Sequence, residues 1–110
     1  PISRPLLIPE VRIQDVKLPG NAKPGFMQYP ITLSLVNNEK FDVPIRWEAI
    51  SSITGKFDSG TATVPKNGKL LEISKSYFWE AGNRTITYAV YYYYNNTKLD
   101  TWSGTLNVVP

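Results

Sequence analysis

The chain contains no cysteine and no histidine. Without cysteine there is no disulfide, no thiolate nucleophile and no thiolate-bound metal. Without histidine the usual general base and the commonest transition-metal ligand are gone as well. Long apolar runs are also missing: no stretch of 18 or more apolar residues occurs, so no segment has the length of a membrane-crossing helix. Like charges do not cluster. Twelve Lys and Arg stand singly against nine Asp and Glu, a net charge of +3 with no basic stripe of the kind that tracks nucleic acid. The nine acids form no D-x-E or D-x-D-x-D-G pattern, and no G-x-S-x-G, phosphate-binding loop or G-x-G-x-x-G is present. We therefore expect no catalytic residues, no metal, no cofactor and no nucleic-acid partner.

What the chain does have is turn chemistry at regular intervals. Pro19-Gly20, Pro24-Gly25, Asn37-Asn38, Ser59-Gly60, Asn67-Gly68, Ala81-Gly82-Asn83 and Asn95-Asn96 punctuate segments rich in Val, Ile, Thr, Tyr, Phe and Trp. No helical stripe persists for three turns. The spacing predicts seven strands, at 10–18, 30–37, 42–50, 56–64, 69–79, 84–94 and 98–109. Within 10–18 the apolar phase slips between Ile13 and Val16, the mark of a bulge. Pro44 cannot donate to a ladder, so the start of 42–50 is expected at an edge or a bulge. The segment 56–64 reads as weak and glycine-interrupted, and Gly104 as a break in 98–109. Seven short antiparallel strands in one domain of 110 residues fit a two-sheet sandwich best, with a five- or six-stranded barrel as the competitor. Residues 10–110 form that domain. Residues 1–9, PISRPLLIP, form an extended lead-in whose Leu6, Leu7 and Ile8 are the candidate assembly arm. The chain begins at Pro1 without Met, which suggests a processed or trimmed chain, and any signal peptide or membrane anchor would lie upstream of it.

The run Tyr91 to Tyr94 admits two readings. By parity Ile86, Tyr88, Val90, Tyr92 and Tyr94 face the core, while Tyr91 and Tyr93 cover the outer face. Tyr91 and Tyr93 are alternatively a stacking platform, which together with Trp79 and Trp102 makes a candidate glycan-binding surface. Trp47, on the inward parity of 42–50, belongs to the core. Asn83-Arg84-Thr85 and Asn95-Asn96-Thr97 are N-glycosylation sequons in predicted turns, giving Asn83 and Asn95 as candidate modification sites in an exported chain.

Two stretches resemble the CARDB-type, immunoglobulin-like domains of archaeal and bacterial surface proteins. One is the front half, with Pro24-Gly25 and the step Leu35-Val36-Asn37. The other is the back half, with Trp79, Gly82 and Ile86 in a W-x-x-G-x-x-x-I step. The likeness spans about residues 10–109. It implies an immunoglobulin-like antiparallel β-sandwich, a non-catalytic adhesion or assembly role, and a place at the cell surface or in a pseudo-periplasm. The single copy after a lead-in is similar to the soluble domain of an anchored archaeal envelope protein, such as an archaellar stator or surface-filament subunit. Partners are then other envelope proteins or further copies of the chain, with a carbohydrate-binding module as the alternative.

Overall fold

The computed structural model describes residues 8–25 and 27–110. Among them there is no helix, and seven antiparallel strands form two sheets packed face to face. The strands are β1 (Val11–Lys17), β2 (Tyr29–Asn37), β3 (Val43–Ser51), β4 (Gly55–Val64), β5 (Leu70–Tyr77), β6 (Gly82–Tyr92) and β7 (Lys98–Val108). One sheet has the order β1-β2-β5 and the other β4-β3-β6-β7. The chain changes sheet at each of the connections β2–β3, β4–β5 and β5–β6, which is the sandwich that the strand count predicts.

Period-2 alternation fixes the interior. β3 alternates buried and half-buried along its whole length, sending Val43, Ile45, Trp47, Ala49 and Ser51 inward. Opposite them lie Ile31, Leu33 and Leu35 of β2, with Ile86, Tyr88 and Val90 of β6 beside them. Each such aliphatic side chain contributes about 1.5–3 kcal/mol by leaving water, and so sets which face of its strand is in. Gly60, paired with Trp47, leaves room for the indole: a Cβ there would sit 2.8 Å from its Nε1.

The bulge expected in the first strand is present, with Gln14 the extra residue between the pairs Ile13–Leu35 and Asp15–Ser34. Two more bulges were not foreseen. Phe57 is extra between Ala49–Asp58 and Ile50–Lys56, and Leu99 between Val90–Asp100 and Tyr91–Lys98.

Four expectations are corrected. β3 lies inside its sheet, between β4 and β6. Pro44 is tolerated because pairing to β6 starts only at Ile45; at Pro44 the strand needs just a carbonyl, which accepts from the Tyr93 N–H at 3.2 Å. β4 is an edge strand but not a weak one, since it pairs with β3 from Gly55 to Val64. β7 runs unbroken through Gly104, whose missing side chain makes room for the ring of Trp102. Tyr94 lies beyond the end of β6 and is 74% exposed, because the turn at Asn95-Asn96 takes the chain off the sheet before the parity rule reaches it.

Both long seams between the sheets are closed by an aspartate. On one side Asp100 Oδ2 of β7 accepts the N–H of Ile13 at the β1 bulge, at 2.8 Å. On the other Asp58 of β4 accepts the Tyr77 hydroxyl of β5 at 2.5 Å and pairs with Lys75 at 3.3 Å.

Candidate functional site

The two ends of the sandwich differ, and the site lies at the end where β3 runs into β4 and β5 into β6. There the Phe57 bulge, the last residues of β5 and the turn after it enclose a cleft of about 500 Å³. A bulge re-aims one side chain, and Phe57 uses it to enter the gap between the sheets. Its ring meets Tyr77 edge-on at 5.2 Å and Trp79 at 5.8 Å, while Tyr77 and Trp79 meet at 5.9 Å. Three mutual edge-to-face contacts, each worth about 1 kcal/mol beyond burial, hold the wall of the cleft rigid. Ile53 from the β3–β4 turn and Phe78 form the rim, and both are exposed, Phe78 at 59%.

At the base of this wall sits Arg84, only 7% exposed. Its guanidinium carbon lies 5.5 Å from the centre of the Trp79 ring. Nη2 donates to the backbone carbonyls of Glu80 and Gly82, which fixes the turn into β6. Nε has no acceptor among the described residues, and neither does the buried indole Nε1 of Trp79. No carboxylate among the described residues pairs with Arg84. The residues outside the description, 1–7 and Phe26, carry no Asp or Glu. Arg46, on β3, is occupied by contrast. It contacts Glu48 at 2.6 Å, Asn96 at 2.6 Å and the face of Tyr91 at 4.4 Å.

The titrating groups near the cleft are structural in character. Burial raises the Asp58 carboxyl, but hydrogen bonds from Tyr77, the Ser59 N–H and Lys75 outweigh it and hold the group below its ordinary value. Burial first, and the bond to Asp58 second, push the Tyr77 hydroxyl well above its ordinary range. Burial does the same for Tyr88. Among the described residues no three acids group as a metal site would need. What this end offers is therefore an apolar wall with a desolvated positive charge at its base.

The residues singled out by sequence are scattered. Trp79 is in the cleft wall, 6% exposed, with its face covered by Phe57 and Tyr77. Trp102 shares the inward parity of Leu106 and packs half-buried against the core. Tyr91 lies on the outer face beneath Arg46, and Tyr93 is exposed at the far end of β6. The four rings do not share a surface. Asn95 is exposed in the turn after β6, where its Oδ1 accepts the Thr97 N–H at 3.0 Å. Asn83 is exposed too, but in β6 opposite Asn107 and not in a turn, because the strand starts at Gly82. Ile8 is 58% exposed, and Leu6 and Leu7 lie outside the described residues.

Arg84 was missed, although it left a trace. It has the parity of Ile86, Tyr88 and Val90, so strand alternation alone puts a charge on the inward face. Phe57 left none, since its direction depends on a bulge set by pairing to β3. No protein-family model matches the chain, and no curated protein matches it.

Proposed function

We propose that the chain is a non-catalytic, extracytoplasmic β-sandwich module that assembles with other proteins of the cell envelope, of the archaellar stator or surface-filament kind. The observation that carries this reading is the cleft end: exposed Ile53 and Phe78 rim an apolar wall, a combination that marks surfaces used for protein association. The edge strands β4 and β5 border the same end and offer free backbone groups for strand addition. The scattered positions of Trp79, Trp102, Tyr91 and Tyr93 give the carbohydrate-binding alternative no common stacking face.

Light scattering across a wide concentration range, on the full chain and on one lacking residues 1–9, measures self-assembly and the part of the lead-in in it. A photo-reactive phenylalanine analogue at position 78, compared with one at the exposed position Lys66 in the β4–β5 turn of the opposite end, measures contact at the cleft in the producing cell. Self-association, or a discrete protein adduct formed from position 78 and not from 66, is the expected result. A chain that stays monomeric and yields no protein adduct overturns the reading.

A further inference from the structure

A buried guanidinium is stable where a carboxylate neutralises it, and taking one out of water unpaired costs several kcal/mol. Arg84 is in that position without such a partner. Its contacts are two carbonyl oxygens, which satisfy Nη2 but bring no negative charge. Two buried donors beside the cleft, Arg84 Nε and Trp79 Nε1, also lack acceptors among the described residues. Native structures leave few such groups, and those they do leave call for an explanation, a functional role being one. Arg84 Nη1 bonds to none of the described residues and is not among the shut-off atoms, which leaves it as the guanidinium nitrogen open to a ligand.

The walls narrow the ligand class. The cleft has the size of a small-ligand site. Phe57, Tyr77, Phe78 and Trp79 line it, so an apolar body is accommodated. Glu80 is the other charged residue of the lining, but it is solvent-exposed and meets Arg84 through its backbone carbonyl. One guanidinium with part of its donors already spent matches a singly charged carboxylate. A phosphate, with more charge and more acceptors, calls for a cluster of cations that is not present here.

We propose that this cleft binds a carboxylate attached to an apolar residue, presented by a peptide segment of a protein partner, with Arg84 as counter-charge and the Phe57–Tyr77–Trp79 wall holding the apolar part. The carboxylate comes from a chain terminus or from an acidic side chain next to an apolar one. The proposal rests on the protein-assembly reading for its partner, though not for its test.

The test is a titration of the full chain followed by proton–nitrogen correlation spectra, in which the Trp79 indole and Arg84 Nε–H signals report directly. N-acetyl-phenylalanine presents a terminal carboxylate, and N-acetyl-aspartyl-phenylalanine amide an acidic side chain. N-acetyl-phenylalanine amide has no charge, and galacturonate has a carboxylate without the apolar body. At least one of the two peptide acids is expected to move both signals and to bind about tenfold or more tightly than the neutral amide; the tighter acid identifies the source. Arg84→Met is expected to abolish the difference between acid and amide. Trp79→Phe, which trims the apolar wall and leaves Arg84 in place, is expected to weaken acid and amide alike. Equal binding of acid and amide overturns the proposal. So does a response to galacturonate only, or the absence of any response at the two reporter signals. A positive titration of a chain that stays monomeric and gives no protein adduct at position 78 would sink the assembly reading and leave the site standing; self-association or an adduct with no titration response would sink only the site.

Discussion

Asn37 and Arg84 are both buried polar residues at the ends of this sandwich, and their surroundings are opposite. Asn37 is fully buried at the end where β2 leaves the sheet. Its Nδ2 donates to the carbonyls of Phe41 at 2.8 Å and Val64 at 3.0 Å, and its Oδ1 accepts the Glu39 N–H at 2.8 Å. Its own carbonyl accepts the Gly68 N–H at 2.8 Å, so one side chain and one peptide tie the β2–β3 turn to the β4–β5 turn. Nothing is left over. At the other end Arg84 and Trp79 keep unmatched donors beside an open cleft with an apolar rim. The first arrangement is what a structural polar residue looks like when its role is complete. The second is what remains when part of the network belongs to something outside the chain.

The largest effect that would separate the two ends is Asn37→Ala. It leaves two carbonyls and an N–H unpartnered in the interior, and we expect a loss of about 3 kcal/mol. Calorimetry should then show a melting temperature lower by roughly 12–20 °C. A change of only a few degrees would mean the knot is incidental.

A smaller effect is the pH dependence, which comes from the aromatic end and from Glu48 of β3, whose carboxyl the hydrogen bond from Arg46 also holds below its ordinary value. The Asp58 carboxyl is lowered from 3.8 in the folded state, so its contribution is present above that value and fades as pH falls below it. Tyr77 and Tyr88 are raised from 10.0, so theirs is complete below that value and is lost as pH climbs past it. Stability measured by denaturant titration should therefore be flat between these limits and fall on both sides. Asp58→Asn should make the acid limb shallower and leave the part due to Glu48, whereas Asn37→Ala should lower the whole curve without changing its shape.

The smallest expected effect is the most telling one. Arg84→Met removes a buried charge that no carboxylate neutralises but also the two carbonyl contacts that fix the turn into β6, so the effects offset and stability should change by no more than about 1 kcal/mol in either direction. If it falls as far as in Asn37→Ala, the carbonyl ties outweigh the buried charge and the contrast between the ends disappears.

Much of the architecture was legible along the chain because it is written in period 2. The alternation Val43, Ile45, Trp47, Ala49 needs no knowledge of neighbours to declare a strand with one buried face. The phase slip at Ile13–Val16 declares its own bulge. The site was far less legible. Gly60 and Gly104 read as interruptions because the indoles that fill their missing side chains sit on Trp47 across the sheet and on Trp102 two residues back along the strand. Trp79 read as a stacking face because nothing local shows that Phe57 and Tyr77 cover it.

By itself the sequence determined a seven-stranded, cysteine-free β chain with apolar faces, a core tryptophan on β3 and exposed asparagines near both ends of β6, since turn chemistry and alternation are local properties. Only the tertiary structure decided that β3 is interior, that the Phe57 bulge opens a cleft, and that Arg84 is buried at its base with no carboxylate to meet it. Those facts depend on which strands become neighbours and in what register. That is set by the sum of many contacts between residues far apart in the chain and by no single stretch of it.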